Sequence, residues 1–373
     1  MMYILGIETT CDETSISVIK VNYNLKNSDL KFDIIVNVIL SQDIHNIFGG
    51  IYPEQAFRKH QENIIKILAK VSHEFDINKI DLIGVSAFPG LVGALASGVA
   101  LAKTLSVILS KSVIPVNHLW GHLFANFEKI ETKNIYELNN DLLPALGLVV
   151  SGGHTNLYFI ESFLPIRISL ISRTLDDAVG EAYDKVARLL GLGFPGGPII
   201  DKLAMDYVPK PKEKPIFPIP KPNNFTYSGL KTAVYRYLKN INFEQLDPKK
   251  KQDLIKKVAY YFQYSAVEHI IKKMELTLLD YKTRDIELKS IFVGGGVAAN
   301  SYLRKRLADI SYKNKLNLYI PSIVLCTDNA AMIAIATFFI YKSFFENKIL
   351  NDYIIDFDVY PLEEEGLKLF LQN

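Results

Sequence analysis

An apolar strand, a tight polar turn and a returning apolar strand occur at two widely separated points of the chain. Near the start, YILGIETT meets a turn at Cys11-Asp12-Glu13 and returns as SISVIKV; past the midpoint, PALGLVVSGGHTNLYFI does the same. Short apolar runs rich in β-branched residues and bounded by turn signals read as strands. Helix-type runs alternate with them, which predicts α/β architecture. Two lobes, each opened by such a hairpin, would face each other across a cleft, and clefts between lobes are where ligands bind. The length of 373 residues agrees, since about 150 residues per domain gives two to three compact units. The polar, aperiodic segment Ile130 to Asn140 reads as the connection between lobes.

The spacing of Ala56, Ile64, Ile65 and Leu68 predicts a helix over Pro53–Glu74. The strand DLIGVSA and a Gly-rich turn lead into a helix from about Gly93 to Leu109. Ile83 to Ala102 is a run of twenty residues without a charge, long enough to span a bilayer, but Pro89-Gly90 cuts it into a strand and a helix. No membrane partner is expected. Six prolines between Pro209 and Pro222, interleaved with lysines, predict an extended surface excursion. A long amphipathic helix over Leu246 to Tyr281, the strand SIFVGGG, a strand LYIPSIVL and a helix over Asn329 to Phe345 complete the pattern. Forty-two Lys and Arg against 40 Asp and Glu leave a formal charge of +2, so nucleic acid must be met by a local patch. Two cysteines, Cys11 and Cys326, form no disulfide framework and suit a reducing, cytoplasmic compartment.

His118 and His122 stand four apart in the helical-looking NHLWGHLFAN and project from one face. The spacing suits a metal ion and equally two histidines with ordinary hydrogen bonds. A zincin would carry Glu directly after the first His, and Leu119 stands there. Asp328 sits where LYIPSIVL gives way to a helix, placed either to cap that helix or to leave the strand end toward the cleft. Two histidines and a carboxylate with open positions suit Fe(II) or catalytic Zn(II). Ser151-Gly152-Gly153-His154-Thr155 is either a plain hairpin turn or one whose backbone N–H groups approach a phosphate. Gly294 to Asn300 fits G-x-G-x-x-A, yet the next strand lacks the acidic residue that holds a ribose in dinucleotide folds, which leaves a nucleotide-base or ribose site. No G-x-x-x-x-G-K-[ST] is present, so a P-loop nucleotidase is excluded. Phe194 to Gly197 with Asp184 and Asp201 suits ribose hydroxyls or a solvated turn. Lysines at 210–221 and 249–257, with Tyr227, Tyr235 and Tyr237 between, fit RNA or a solvated face.

Nine segments in order, GIETTCDET, GGIYPEQAFRKH, FPGLVGALASG, NHLWGH, VSGGHTNL, DDAVGEAYDKVARLLGLGFPGGP, FTYSGLKTA, GGGVAANSYLR and CTDNAAMIA, resemble the universal tRNA N6-adenosine threonylcarbamoyltransferase family, formerly called O-sialoglycoprotein endopeptidases. The likeness spans Met2 to Lys342, and SGGHT is the form found in bacterial or organellar members. The resemblance implies a two-lobe actin-like ATPase fold, with residues 1–128 as first lobe, completed by 326–373, and 144–325 as second lobe. It implies transfer of threonylcarbamoyl from threonylcarbamoyl-adenylate to N6 of adenosine 37 in tRNAs reading codons that begin with A. Metal ligands would fall on His118, His122 and Asp328, holding one Fe(2+) per chain, with Zn(2+) the alternative. Adenylate-binding positions would fall on Val149, Val150, Ser151, Gly152, Gly153, Asp184, Gly197, Asp201 and Asn300. The implied partners are tRNA, a smaller paralogue of the same fold and a P-loop ATPase. Asp12, in the first turn, is the candidate general base.

The chain departs from the family pattern in four places. Trp120 stands where His-x-Glu-x-His has Glu, and Phe88 where Gly commonly precedes Pro-Gly; the segment 130–140 and the tail after Asn351 are longer than usual. On a helix Trp120 lies about 200° round from His118, against about 40° for His122, so it points away from a metal toward a neighbouring helix or partner. The competing readings are an actin-fold sugar kinase or ATPase, which needs an acceptor-sugar aspartate and Mg2+, and a non-catalytic nucleotide-bound scaffold.

Overall fold

The computed structural model describes residues 1–23, 30–42, 50–131, 138–346 and 357–371. The expected lobe connection falls partly, at 132–137, outside the described residues, as do 351–356 and 372–373 of the tail. The chain divides into two compact units: Met1–Leu143 with Ile160–Ile168 and Tyr319–Asn373, and Pro144–Phe159 with Ser169–Leu318.

The first unit holds β1 (Met2–Glu8), β2 (Glu13–Tyr23), β3 (Leu30–Ser41), β4 (Leu82–Phe88) and β5 (Val113–Asn117) in the order β3-β2-β1-β4-β5. The predicted hairpin is there: β1 and β2 pair antiparallel with Ile4 opposite Ile19 and Glu8 opposite Ser15. β4 runs parallel to β1, and β5 parallel to β4. Three helices follow the strands, α1 (Pro53–Glu74), α2 (Val92–Leu109) and α3 (His118–Phe124). The twenty uncharged residues are thus split between β4 and α2. By length and composition α2 is the one described helix able to cross a membrane; here Ala94, Leu95, Gly98, Val99, Ala102, Leu105 and Ser106 are buried. A late helix, α9 (Ala330–Ile340), is buried at every residue and packs on β1, β2 and β4, as an all-apolar helix must.

The second sheet repeats the plan with β6 (Ala145–Val150), β7 (Thr155–Phe163), β8 (Ile166–Arg173), β9 (Ser290–Gly294) and β10 (Asn317–Tyr319). Its order, β10-β9-β6-β7-β8, is the first sheet's order read from the other edge. The sequence echo is therefore a repeat of topology. The second unit's helices are α4 (Val179–Leu189), α5 (Gly196–Met205), α6 (Ser228–Asn240), α7 (Pro248–Thr283) and α8 (Ser301–Asn314).

Two expectations need correction. LYIPSIVL is not one strand: β10 ends at Tyr319, and Ile323–Cys326 is a helical turn. Pro321 cannot donate to a ladder, and the Glu128 carboxylate takes the Ser322 N–H at 2.6 Å and its hydroxyl at 3.0 Å, turning the chain there. Nor does Asp328 cap α9; Asn329 does, its Oδ1 accepting the Met332 N–H at 3.0 Å. The Asp328 carboxylate lies instead beside His118 and His122.

Candidate active site

In the first unit, Asn117 ends β5 and caps α3, its Oδ1 accepting from the N–H groups of Leu119 at 2.9 Å and Trp120 at 3.3 Å. That cap sets the helix on which both histidines sit, and both are buried. Glu8, the last residue of β1, is fully buried; its Oε2 lies 2.9 Å from His118 Nδ1 while Oε1 takes the Thr10 N–H at 2.6 Å. With Nδ1 donating to a carboxylate, His118 turns Nε2 toward Asp328 Oδ1 at 3.6 Å, where loss of its proton would present a lone pair to a metal. His122 Nε2 is 3.1 Å from the same oxygen but not aligned for a hydrogen bond, and neither His122 ring nitrogen has a hydrogen-bond partner. One ligand atom each from His118, His122 and Asp328 fall within 4.8 Å of one another.

The electrostatics favour a cation. Burial alone would lower the His118 pKa, but the Glu8 and Asp328 carboxylates outweigh it and hold the ring up to about 9. Burial and the neighbouring His118 push His122 down, against the attraction of Asp328. Burial, then Asp12 and Asp328, raise Glu13, and the same two carboxylates add to burial in raising the Cys11 thiol. Negative charge thus converges on two imidazoles with a buried, unpartnered nitrogen between them, and a divalent ion fits that donor set where a proton alone leaves His122 unsatisfied. Asp12 lies in the β1–β2 turn beside Glu13.

Sequence reasoning passed over Glu8, Thr10, Glu13 and His60. The buried His60 ring bridges Thr14 Oγ1 at 2.9 Å and the Cys11 carbonyl at 3.0 Å, tying the Asp12 turn to α1. The signal for Glu8 was present: a lone carboxylate closing an apolar strand is buried with it and needs a donor. Trp120 points as expected away from the His–Asp group, 5% exposed, its ring stacked on Phe370 at 5.5 Å.

In the second unit the SGGHT turn is closed by the Ser151 N–H to the His154 carbonyl at 2.8 Å and the His154 N–H to Ser151 Oγ at 3.1 Å. Two other motifs abut it. A Cβ at Gly180 would lie 2.6 Å from the Ser151 carbonyl, and one at Gly295, where φ is +94°, 2.3 Å from that of Val150. Only glycine serves at either place. By contrast a Cβ at Gly152, Gly153 or Gly197 would meet nothing within 4 Å, so those backbones border open space. Val149 and Val150 are buried in β6 and offer only main-chain atoms. Asp184 Oδ1 takes the Gly196 N–H at 2.7 Å, fixing the Gly196-Gly197 turn at the start of α5. Asp201 accepts the Ser301 N–H at 3.0 Å and hydroxyl at 2.8 Å. Asn300 caps α8 through Leu303 and donates to Gln263 Oε1 at 2.7 Å, within 3.5 Å of the Tyr183 hydroxyl. GGGVAAN therefore does not open a helix directly; a 3-10 turn, Gly296–Ala299, precedes α8. His118, His122, Asp328 and Asp12 belong to the first unit, and the nine nucleotide candidates to the second.

Residues 33–335 match the family model described as tRNA N6-adenosine threonylcarbamoyltransferase. A protein of that name from Thermosipho africanus is 42% identical over 349 residues, covering 91% of this chain and 95% of the relative. Another from Persephonella marina is 40% identical over 362 residues, covering 94% and 93%. Among solved structures, full-length HypF in a phosphate- and nucleotide-bound form superposes with a TM-score of 0.53 at 14% identity, covering 94% of this chain and 56% of HypF. That likeness bears on fold alone, which is α/β of the actin-like ATPase class. Sequence match and repeated topology agree, and the chain belongs to the tRNA N6-adenosine threonylcarbamoyltransferase family.

Proposed function

We propose that the chain transfers the threonylcarbamoyl group of threonylcarbamoyl-adenylate to N6 of adenosine 37 in tRNAs reading codons that begin with A. The observation that carries this reading is the His118–His122–Asp328 set, with both histidines buried and His118 braced by Glu8, in a chain of this family. The adenine amine is a poor nucleophile, because its lone pair is delocalised into the ring, so the acyl carbon must be made more electrophilic. A divalent cation held by His118, His122 and Asp328, Fe(II) with Zn(II) the alternative, supplies Lewis acidity and an anchor for the donor when bound.

The chain's own groups do the rest. Main-chain N–H groups of Gly152 and Gly153 hold the adenylate phosphate, and Asp184, Gly197, Asp201 and Asn300 hold ribose and base; the open space at Gly152, Gly153 and Gly197 supports this. As N6 bonds to the carbamoyl carbon, the carbon–oxygen bond to phosphate breaks and adenylate leaves with the electron pair, needing little acid assistance. The amine proton passes to Asp12. A smaller paralogue and a P-loop ATPase are the proposed partners, and the cytoplasm the proposed compartment, consistent with free thiols at Cys11 and Cys326.

The test is transfer of label from threonylcarbamoyl-adenylate to an A-decoding tRNA transcript, with both partner proteins present. Label is expected in the wild-type transcript and not when adenosine 37 is replaced by guanosine. Equal labelling of both transcripts refutes the assigned acceptor, and no labelling of either refutes the transferase reading.

A further inference from the structure

Helices α4 and α6 of the second unit line a groove of about 370 Å³ with Lys185, Arg188, Leu189, Lys231, Thr232 and Tyr235. Its charged lining residues are all cations, with Glu181 of α4 2.8 Å from Lys185 beside them. Helix α6 carries Lys231, Arg236 and Lys239 and no carboxylate. Leu230, Val234 and Leu238, spaced by four, are its buried face, so Lys231, Tyr235 and Lys239, one step on, form a second row beside it. Tyr235 is 50% exposed.

Two of the groove's cations are engaged: Lys185 and Lys231 each lie 2.7 Å from an Asp177 oxygen. Arg188, Arg236 and Lys239 have no ion-pair partner among the described residues, and all three are exposed. The lysine run that the sequence marks for RNA is different. There Lys250 sits 3.2 Å from Asp247, Lys251 2.8 Å from Glu244 and Lys257 2.6 Å from Glu213, so much of its charge is met locally.

A half-exposed aromatic ring beside Arg188 in the groove, with Arg236 and Lys239 on the exposed surface of α6 next to it, has the two elements of single-strand RNA recognition. Bases stack on the ring with little regard to sequence, and guanidinium and ammonium groups take the phosphates. We propose that the α4–α6 groove binds a single-stranded segment of the tRNA substrate, with one unstacked base on Tyr235 and neighbouring phosphates on Arg188, Arg236 and Lys239. This rests on the transferase reading above and names where its substrate is held.

The experiment measures the Kd of an A-decoding tRNA transcript across a salt series for the metal-loaded full chain. The variants are a triple Arg188→Gln/Arg236→Gln/Lys239→Gln, a single Tyr235→Ala, and a control triple Lys249→Gln/Lys250→Gln/Lys251→Gln. At about 0.7 per single-strand phosphate, the first triple is expected to flatten the log-log salt slope by about 2 units. Tyr235→Ala is expected to weaken binding about tenfold with the slope unchanged, the signature of a lost stack. Melting midpoints near wild type, expected for exposed side chains, separate these effects from unfolding. Wild-type affinity and slope in both α4–α6 variants, or a slope change confined to the control triple, overturns the groove assignment while wild-type transfer activity leaves the transferase reading standing. Failure of the wild type to transfer with its partners sinks that reading instead.

Discussion

Replacing Trp120 by Glu, the residue the family resemblance places there, should unsettle the first unit without touching the metal ligands. Trp120 is 5% exposed and stacks on Phe370, which stacks in turn on Phe344 at 4.9 Å and lies 5.8 Å from Phe88. Truncating a buried Trp costs about 3–5 kcal/mol, and a carboxyl left there without a donor adds about 1–3. Glutamate keeps two methylenes, so Trp120→Glu should lose about 4 to 6 kcal/mol, a large part of the about 5–15 that folded proteins have. The melting midpoint should fall on the order of 10 °C or more. Protonating the new carboxyl removes its charge, so its folded pKa is raised above the unfolded value and the deficit should shrink as pH falls toward 4. Because residue 120 lies about 200° round the helix from His118, the folded fraction should titrate one divalent ion per chain as the wild type does. Trp120→Phe, which keeps a ring against Phe370, should recover most of the loss. The assay is thermal melting with metal titration of the three proteins. A Trp120→Glu midpoint within about 2 °C of wild type would refute the packing argument, and a tenfold weaker metal site in a fully folded variant would refute the claim that this face of α3 is separate from the ligands.

Alanine at His118, His122 or Asp328 should each abolish tight Fe or Zn retention; full metal after gel filtration in all three would disprove the ligand set. Glu8→Gln, which keeps the side chain's size but weakens the hold on His118 Nδ1, should reduce metal affinity about 10- to 100-fold in a chelator competition, and unchanged affinity would remove Glu8 from the site. His269 gives the pH response of the second unit. It is fully buried, Nε2 accepts the Thr226 N–H and Nδ1 lies 3.2 Å from the Pro220 carbonyl, and burial depresses its pKa from 6.5 to about 4. The unfolded chain therefore binds the proton first, so stability is whole above about pH 6.5 and falls by about 3 kcal/mol on reaching pH 4. Urea denaturation of wild type and His269→Gln should show that slope only in the wild type, and parallel pH profiles would contradict it.

The elements were legible where periodicity and turn chemistry agreed. The two hairpins, α1 over Pro53–Glu74 and the long α7 stand where the pattern puts them, although Ile65 of α1 is exposed and α7 is buried on every side from Ser265 to Ile271. The strand assigned to LYIPSIVL failed because an apolar run is ambiguous by itself, and the partner that bends it, Glu128, is distant in sequence. The same distance hid Glu8, which is joined to His118 across 110 positions, and Gln263, whose bond to Asn300 leaves no trace in the spacing of α7. His118 and His122 could be paired from i,i+4 geometry, but that Asp328 joins them follows from Asn329 taking over the helix cap. Chemistry carried by neighbours in sequence was readable from spacing, while Asp328, a neighbour of the histidines only in space, was reached through the family resemblance and Glu8 was not reached at all.

Two departures from the family pattern, Phe88 and Trp120, meet on one residue of the tail. Both rings pack on Phe370, and a Cβ at Gly366 would lie 2.1 Å from the Phe88 ring, so the tail approaches at a point where it has no side chain. The same segment is tied down by the Tyr360 N–H to the Ala87 carbonyl at 3.0 Å and by Lys103 Nζ to the Phe357 carbonyl at 2.7 Å. It also reaches the candidate metal site. Glu363 Oε1 takes the Asn117 Nδ2–H at 2.8 Å, which fixes the orientation of the amide whose oxygen caps α3. An apolar Trp in place of a glutamate exposes area that water would have to cover, and a Phe in place of a glycine fills space beside it; neither change is favourable without a third surface to bury both. The tail supplies that surface, and through Glu363 it bears on the helix that carries His118 and His122. Phe88, Trp120 and the C-terminal segment thus pack as one unit, and through Glu363 that unit is joined to the residue that caps α3.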